Sequence, residues 1–467
     1  MAGNSEHTIV IIGGGPGGYE AAFQARAHGA RTILIEEQGA GGSAVLTDVI
    51  PSKTLIASAV WMDNVRRAGE LNIVQEGRSY SADVLGIFDR VGRMASAQSH
   101  EISLRLGAEG VEIVRNRGVI LPETGENGRR LVRVGKRTLE ADAVIVATGA
   151  RPRKLPEAMP DGERILTWKQ VYSIEEVPEH LIVVGSGVTG AEFASAFNSV
   201  GVPVTLVSSR DRVLPNNDPD AALLIEKVFE KNGVNICANS RAEAARVEGD
   251  GVVVTLADGR EIRGSHVLMA VGAIPNTDNM GLEEAGVLLD EQGFVKTDRV
   301  SRTTANRIYA AGDCTGVFLL ASVASAQGRL AIAHALGDAV EPLDLKQVSS
   351  NIFTNPEIAS VGVTQAQVDS GEVDCISVIL PVARNARARM RGIEEGFVKL
   401  FARRRTRTIA GAVICIQYAG EFIFPLTLAI KNRLTVDEFA GTFTIYPSIS
   451  GTITEAARSL HKMVEDY

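Results

Sequence analysis

The segment TIVIIGGGPGGYEAAFQARAHGARTILIE, residues 8–36, decides the fold. The run Thr8 to Ile12 reads as a buried strand. Gly13, Gly15 and Gly18 follow in a GxGxxG frame, then a helical stretch, then a second strand from Thr32 to Ile35 that closes on Glu36. This order defines a dinucleotide-binding βαβ unit. The first glycine makes the turn, the second lets backbone N–H groups approach a pyrophosphate, and the third lets helix and strand pack closely. The helix N-terminus then faces the negative charge, and Glu36 stands where a carboxylate hydrogen-bonds ribose hydroxyls. Taken alone, the glycine frame also suits a turn in some other α/β fold.

The pattern returns in LIVVGSGVTGAEFA, residues 181–194, where Gly185, Gly187 and Gly190 open a second unit whose next strand is Val204 to Val207. The step that leads from Gly13 to Glu36 leads from Gly185 to Ser208. A carboxylate there favours the 2′-hydroxyl of NAD and repels the 2′-phosphate of NADP, whereas Ser208, Ser209, Arg210 and Arg212 offer hydroxyls and positive charge. A solvated turn is the alternative reading of these arginines.

Working outward, Ala143 to Ala147 forms another apolar strand and runs into Thr148-Gly149 and the proline-rich RPRKLP, a candidate domain crossing. A second crossing falls at Gly272 to Asn276. In IYAAGDC, residues 308–314, Gly312 and Asp313 follow a strand, at the end where open α/β sheets bind ligands. Beyond about Val340 the pattern changes to short β-like runs (Phe397 to Phe401, Ile409 to Ile414) and helical stretches (Phe422 to Lys431, Thr452 to Lys462). The length of 467 residues, with 45% apolar and 22% charged side chains, suits about three domains with their own cores. A net charge of −8 lacks the footprint of a nucleic-acid binder. The stretch MAGNSEHTIVIIGGG carries neither a basic signal peptide nor an apolar span, so a cytoplasmic protein without stable membrane association is expected. Cys237, Cys314, Cys375 and Cys415 match no CxxC pair and no metal-ligand spacing, so no metal is expected and any redox chemistry must come from a bound cofactor.

Two glycine fingerprints, ATG, AAGDC and the C-terminal tail, in this order, resemble the pyridine nucleotide-disulfide oxidoreductases, the flavoprotein family of dihydrolipoamide dehydrogenase, glutathione reductase and soluble transhydrogenase. The resemblance implies an α/β chain with two Rossmann-like dinucleotide-binding domains and a C-terminal α+β dimerisation domain. FAD would occupy residues 1–150 and 276–342, NAD(P)H residues 151–275, and residues 343–467 would form the homodimer. It further implies FAD contacts at Gly13, Gly15, Gly18, Glu36, Thr148, Gly149, Gly312 and Asp313. The nicotinamide dinucleotide would meet Gly185, Gly187, Gly190, Ser208 and Arg210, with Gly272 at the crossing also near a cofactor. Lys53 in IPSK and Glu192 match the family's ion pair beside the flavin N5, which polarises the ring toward accepting hydride.

The departures decide the expected function. Where the family carries Cys-x-x-x-x-Cys, the stretch GGSAVLTDVIPSK places Ala44 and Val49. Neither can form a thiolate, so electrons cannot leave by disulfide exchange. Where the family carries His-Pro and a Glu, this chain has Tyr446-Pro447 and Gly451, and a phenol with a pKa near 10 is a poor general base. The combination resembles the actinobacterial NAD(P)H:quinone reductases, homologues of dihydrolipoamide dehydrogenase without lipoamide activity. The expectation is hydride transfer from NAD(P)H to FAD, then two-electron reduction of a quinone near Tyr446 of the partner chain. A transhydrogenase, an oxidase and a non-catalytic flavoprotein scaffold are the alternatives.

Overall fold

The computed structural model describes residues 7–74, 77 and 80–465. The first glycine unit builds a parallel sheet with strand order Ile308–Ala310, Ala143–Val146, Thr8–Ile12, Arg31–Ile35, Glu112–Val114. The second builds another, in the order Asn235–Cys237, Val204–Val207, Leu181–Val184, His266–Met269, Ile165–Leu166. In both, the strand feeding the glycine turn is central and buried on both faces, which is why Ile9 to Ile12 and Leu181 to Val184 are runs of branched apolar residues rather than alternating ones.

The repeat goes further than the glycines. Each sheet is accompanied by a three-stranded antiparallel meander, Gly118–Thr124 to Arg137–Ala141 in the first and Ala242–Glu248 to Glu261–Gly264 in the second. Each meander leads directly into a strand that flanks the central one, Ala143–Val146 or His266–Met269. The chain passes between the two units through a ribbon in which Ala150–Pro152 pairs antiparallel with Ala273–Pro275. Both crossings expected from the sequence therefore lie side by side. The Asn276 amide locks them, donating to the Thr148 carbonyl at 2.9 Å while Thr148 Oγ1 donates to the Asn276 carbonyl at 2.7 Å.

The last third is a five-stranded antiparallel sheet, ordered Ser350–Ile352, Glu357–Gly362, Ile409–Ile416, Phe397–Arg403, Cys375–Pro381. Helices Phe424–Lys431 and Gly451–Glu465 pack on it through Leu426, Ala429, Ile453, Ala457 and Leu460. Lys399, 1% exposed in the middle of this sheet, reaches Asp218 and Asp220 at 2.8 Å each and ties the sheet to the second unit. The stretch Gly42–Arg66 has the length and composition of a membrane span. In the fold it is two helices, Gly42–Leu46 and Val49–Arg66. Leu55, Ile56 and Ala59 of the second enter a core shared with Phe193, Phe197 and Phe401, so its apolarity joins all three units.

Candidate functional site

The glycine turns perform three separable tasks. Gly13 has φ +105, and a Cβ there would stand 2.3 Å from the Ala147 carbonyl oxygen; one on Gly18 would stand 1.8 Å from that of Gly13. A Cβ on Gly15 would meet nothing within 4 Å. So Gly13 and Gly18 are required by the packing of turn, strand and helix, while Gly15 leaves space free for a ligand. The second unit repeats this: Gly185 has φ +113 and a Cβ clash of 2.2 Å with Ala270 O, Gly190 one of 1.8 Å with Gly185 O, and Gly187 is open. Gly15 and Gly187 are also the N-caps of Pro16–Ala27 and Val188–Ser199, and neither helix has a side-chain cap. Some helices elsewhere are capped, by Asp218, Thr364 and Thr435, while others such as Ala321–Ala335 are not. An uncapped helix start beside an open glycine leaves backbone N–H groups free to meet an anion.

In the first unit the turn opens on a cavity of about 510 Å³. Glu36 lies at one part of its wall, Thr148, Gly149, Gly312 and Asp313 at another, and Ala44, Asp48, Val49 and Lys169 at a third. The Glu36 carboxylate accepts from the Gly14 N–H at 2.5 Å and the Gln38 N–H at 2.7 Å, which holds it at the mouth of the turn. Asp313 differs: its carboxyl accepts no hydrogen bond from the described residues. Burial, and then the charge of Asp48, push its pKa up to about 6. An unpartnered acid in a glycine-walled cavity fits a bound polyol or sugar that donates hydroxyl hydrogen bonds, as the flavin dinucleotide does.

A stability prediction follows from the sign of that shift. A carboxyl whose folded pKa is raised destabilises the folded state as pH rises from about 4 to about 6, and the cost stays constant above. Asp313→Asn should therefore stabilise the FAD-free protein at pH 8 by up to about 2 to 3 kcal/mol, leave it nearly unchanged at pH 4, and weaken FAD binding. Thermal melts of apo- and holoprotein at the two pH values measure all three effects.

Lys53 and Glu192, 139 positions apart, meet with Nζ 2.7 Å from Oε2. The Glu192 side chain is 6% exposed and that of Lys53 26%. The other oxygen, Glu192 Oε1, accepts the Phe353 N–H at 2.9 Å, and Lys53 Nζ lies 4.7 Å from the centre of the Phe353 ring. One residue from each of the three units thus fixes the pair. Phe353 carries no sequence motif and was not anticipated. Asp48 and Lys169 were not anticipated either; the signal for Asp48 was a charge in the otherwise neutral stretch between Ala44 and Val49.

Ser208, Gly272 and Tyr446 stand outside the wall of the first cavity. Ser208 is fully buried and its hydroxyl is used internally, 2.7 Å from Ser186 Oγ and accepting the Arg210 N–H at 3.1 Å, so it braces the loop. Arg212 is paired with Asp211 at 3.1 Å. Arg210 is exposed, and its guanidinium bonds to no described residue. Arg210→Ala should lower kcat/KM for NADPH about tenfold relative to NADH, as loss of one charged hydrogen bond does, with Arg212→Ala weaker; steady-state kinetics with both nucleotides checks this. Gly272 has φ +99 and its carbonyl accepts the Arg153 N–H at 2.9 Å, but it belongs to the crossing and not to the cavity wall. Tyr446, expected at the partner's flavin, lies away from the first cavity of its own chain. It lines a second cavity of about 440 Å³ that shares no residue with the first. It is 88% exposed, next to the fully exposed Phe443 and the 80% exposed Ile445.

None of the cysteines is placed for exchange. Cys314 is buried beside Asp313, with Sγ near the Val146 and Ala311 carbonyls and its pKa pushed up to about 11 by burial. Cys375 and Cys415 are buried in the C-terminal sheet and Cys237 lies in the edge strand Asn235–Cys237, all three raised by desolvation.

Two dinucleotide folds joined by a ribbon, with an interdomain Lys–Glu pair and a third unit closing on it, define a flavin- and nicotinamide-dependent oxidoreductase. The chain belongs to the pyridine nucleotide-disulphide oxidoreductase family: the family model matches residues 7–328 and that of its dimerisation domain residues 348–457. Enzymes of this family use FAD and NAD(P)H. The chain is 48% identical, over 97% of its length and 93% of the relative's, to a Mycobacterium tuberculosis protein named NAD(P)H dehydrogenase (quinone). It is 33% identical over 97% of both chains to the dihydrolipoyl dehydrogenase of Chlorobaculum parvum. The crystal structure of LpdA from Mycobacterium tuberculosis superposes with a TM-score of 0.92 at 48% identity, covering 97% of this chain and 99% of that one.

Proposed function

We propose that this chain is a cytoplasmic FAD-dependent NAD(P)H:quinone oxidoreductase that works as a homodimer and does not turn over dihydrolipoamide. The observation that carries the reading is the cavity wall at Ala44 and Val49, two sulfur-free side chains at the positions where the family holds its redox disulfide. The name of the Mycobacterium tuberculosis relative at 48% identity, NAD(P)H dehydrogenase (quinone), supports the same reading. FAD, when bound, supplies the two-electron chemistry, accepting hydride from NAD(P)H and passing electrons to the acceptor.

The residues divide the remaining work. Residues 1–150 with 276–342 hold FAD, through the open Gly15, the helix start after it, Glu36 and Asp313. Residues 151–275 hold NAD(P)H through Gly187 and Arg210. Lys53 keeps a positive charge at the meeting point of the units, and Glu192, anchored by the Phe353 N–H, holds Lys53 in place. Residues 343–467 form the dimer, and Phe443, Ile445 and Tyr446 are the exposed apolar segment that a second subunit covers. Tyr446 then reaches the partner's site, where its ring packs on a flat acceptor and its hydroxyl donates to a carbonyl oxygen.

Steady-state assays with NADPH against benzoquinones and naphthoquinones should show turnover, while dihydrolipoamide and glutathione disulfide give none and anaerobic reduction gives no long-wavelength thiolate-to-flavin band. Tyr446→Phe should slow quinone reduction a few-fold and leave flavin reduction unchanged. Lipoamide turnover abolished by thiol alkylation would overturn the reading.

A further inference from the structure

Asp48 is the one titratable side chain between Gly42 and Lys53 other than Lys53 itself, and Lys53 is committed to Glu192. It occupies the N-cap of Val49–Arg66, yet its carboxyl does not cap the helix. Among the described residues its carboxyl accepts no hydrogen bond, although Asp48 lines the cofactor cavity with Ala44 and Val49. Such a group is costly to keep as an anion and has no structural partner to justify it.

Its surroundings bias its proton rather than fix it. Burial raises its affinity for a proton most, Lys53 and Lys169 oppose this, and Glu192 adds to it. Across the cavity, the charge of Asp48 raises the cost of ionising Asp313. The buried Tyr172 phenol, pushed well above its usual range by burial, feels the charges of both Asp48 and Glu192. Lys169 is itself held down by burial and by Arg151, and held up by Asp48. Lys53, Lys169 and Arg151 against Asp48, Asp313 and Glu192, with both aspartate carboxyls unbonded among the described residues and Asp48 on the wall beside Ala44 and Val49, make a site whose protonation responds to one added charge.

The proposed reaction needs such a response. A dihydronicotinamide C–H bond breaks to give a hydride, two electrons with one proton, whereas a quinol carries two electrons and two protons on its two new O–H bonds. Each turnover therefore draws one proton from solvent. Resting on the quinone-reductase reading, we propose that Asp48 is the proton reservoir of the site, taking a proton from solvent when hydride brings negative charge into the cavity and giving it to an acceptor oxygen as the electrons leave. The Asp48 O–H bond breaks as the quinol O–H bond forms, and the carboxylate is reprotonated when the next hydride arrives.

The test compares the FAD-loaded wild type with Asp48→Asn, which keeps the shape and breaks no hydrogen bond, and with Asp48→Glu. Anaerobic reduction by stoichiometric NADPH in weakly buffered solution with an indicator dye reads proton uptake without any quinone. The wild type should take up about one proton per FAD more than Asp48→Asn, and Asp48→Glu should recover the difference. Reoxidation by a quinone in stopped flow should slow with rising pH in the wild type and in Asp48→Glu, and be about tenfold slower and independent of pH in Asp48→Asn. Equal proton uptake in wild type and Asp48→Asn overturns the proposal. A difference in uptake in a protein that reduces no quinone upholds Asp48 as the reservoir and overturns the quinone reading instead.

Discussion

Lys53→Met is expected to slow flavin reduction by NADPH about a hundredfold while FAD content stays near one per chain. The pair it breaks is asymmetric, with the Glu192 carboxylate almost wholly buried and the ammonium about a quarter exposed. Removing one partner of a fully buried pair costs about 3 to 5 kcal/mol, because the other charge is left in a poor solvent. Since Lys53 retains some water, about 2 to 3 kcal/mol is the reasonable share here, and about 2.7 kcal/mol corresponds to two decades in rate. The uncompensated carboxylate would also repel incoming hydride at the place where the cation had attracted it. Glu192→Gln should be milder, since an amide oxygen can still accept the Phe353 N–H and the cation remains. Stopped-flow flavin bleaching with both variants, beside thermal melts, separates the electrostatic effect from general loosening: if Lys53→Met lowers stability without slowing bleaching, the pair is a structural clasp only.

Gly190→Ala should abolish NADPH-driven reduction and leave a yellow protein. Its Cβ would stand 1.8 Å from the Gly185 carbonyl oxygen, a backbone atom of a turn that is itself pressed against Ala270. Nothing there can move aside cheaply, so Val188–Ser199 must lift from Leu181–Val184, at a cost of about 3 kcal/mol or more. Glu192 is two residues further along the same helix, so the displacement also pulls the carboxylate from Lys53. Gly187→Ala is the informative control. Its Cβ meets nothing within 4 Å, so it should melt like the wild type and raise the KM for NADPH, since the methyl group enters the space through which the dinucleotide passes. Equal losses of stability in both variants would contradict the division of labour between the two glycines.

The sequence by itself determined the periodic and local features. Strand, glycine turn and helix are set by neighbours in the chain, so both dinucleotide units were readable, with the first strand at Thr8–Ile12 and the strand after the second unit's helix at Val204–Val207. The loss of sulfur at Ala44 and Val49 was equally readable, since a side chain that lacks a thiol lacks it in any conformation. The proline-rich crossings showed as composition, though not that they pair as one ribbon. The antiparallel meanders did not show, because their short strands alternate on a half-solvated surface and leave a weak signal.

What only the tertiary structure decided is the state of each polar group. Ser208 looked like a ligand residue because its position in the repeat matches Glu36; the packing of Ser186 against it turned the hydroxyl inward. Phe353 contributes through its backbone N–H, which every residue but proline carries, so no residue type could have announced it. Asp48 is chemically ordinary until burial removes its water and the fold brings Glu192, Lys169 and Asp313 around it from three other parts of the chain. A charge's proton affinity depends on its surroundings, and those are fixed by contacts between residues far apart in sequence.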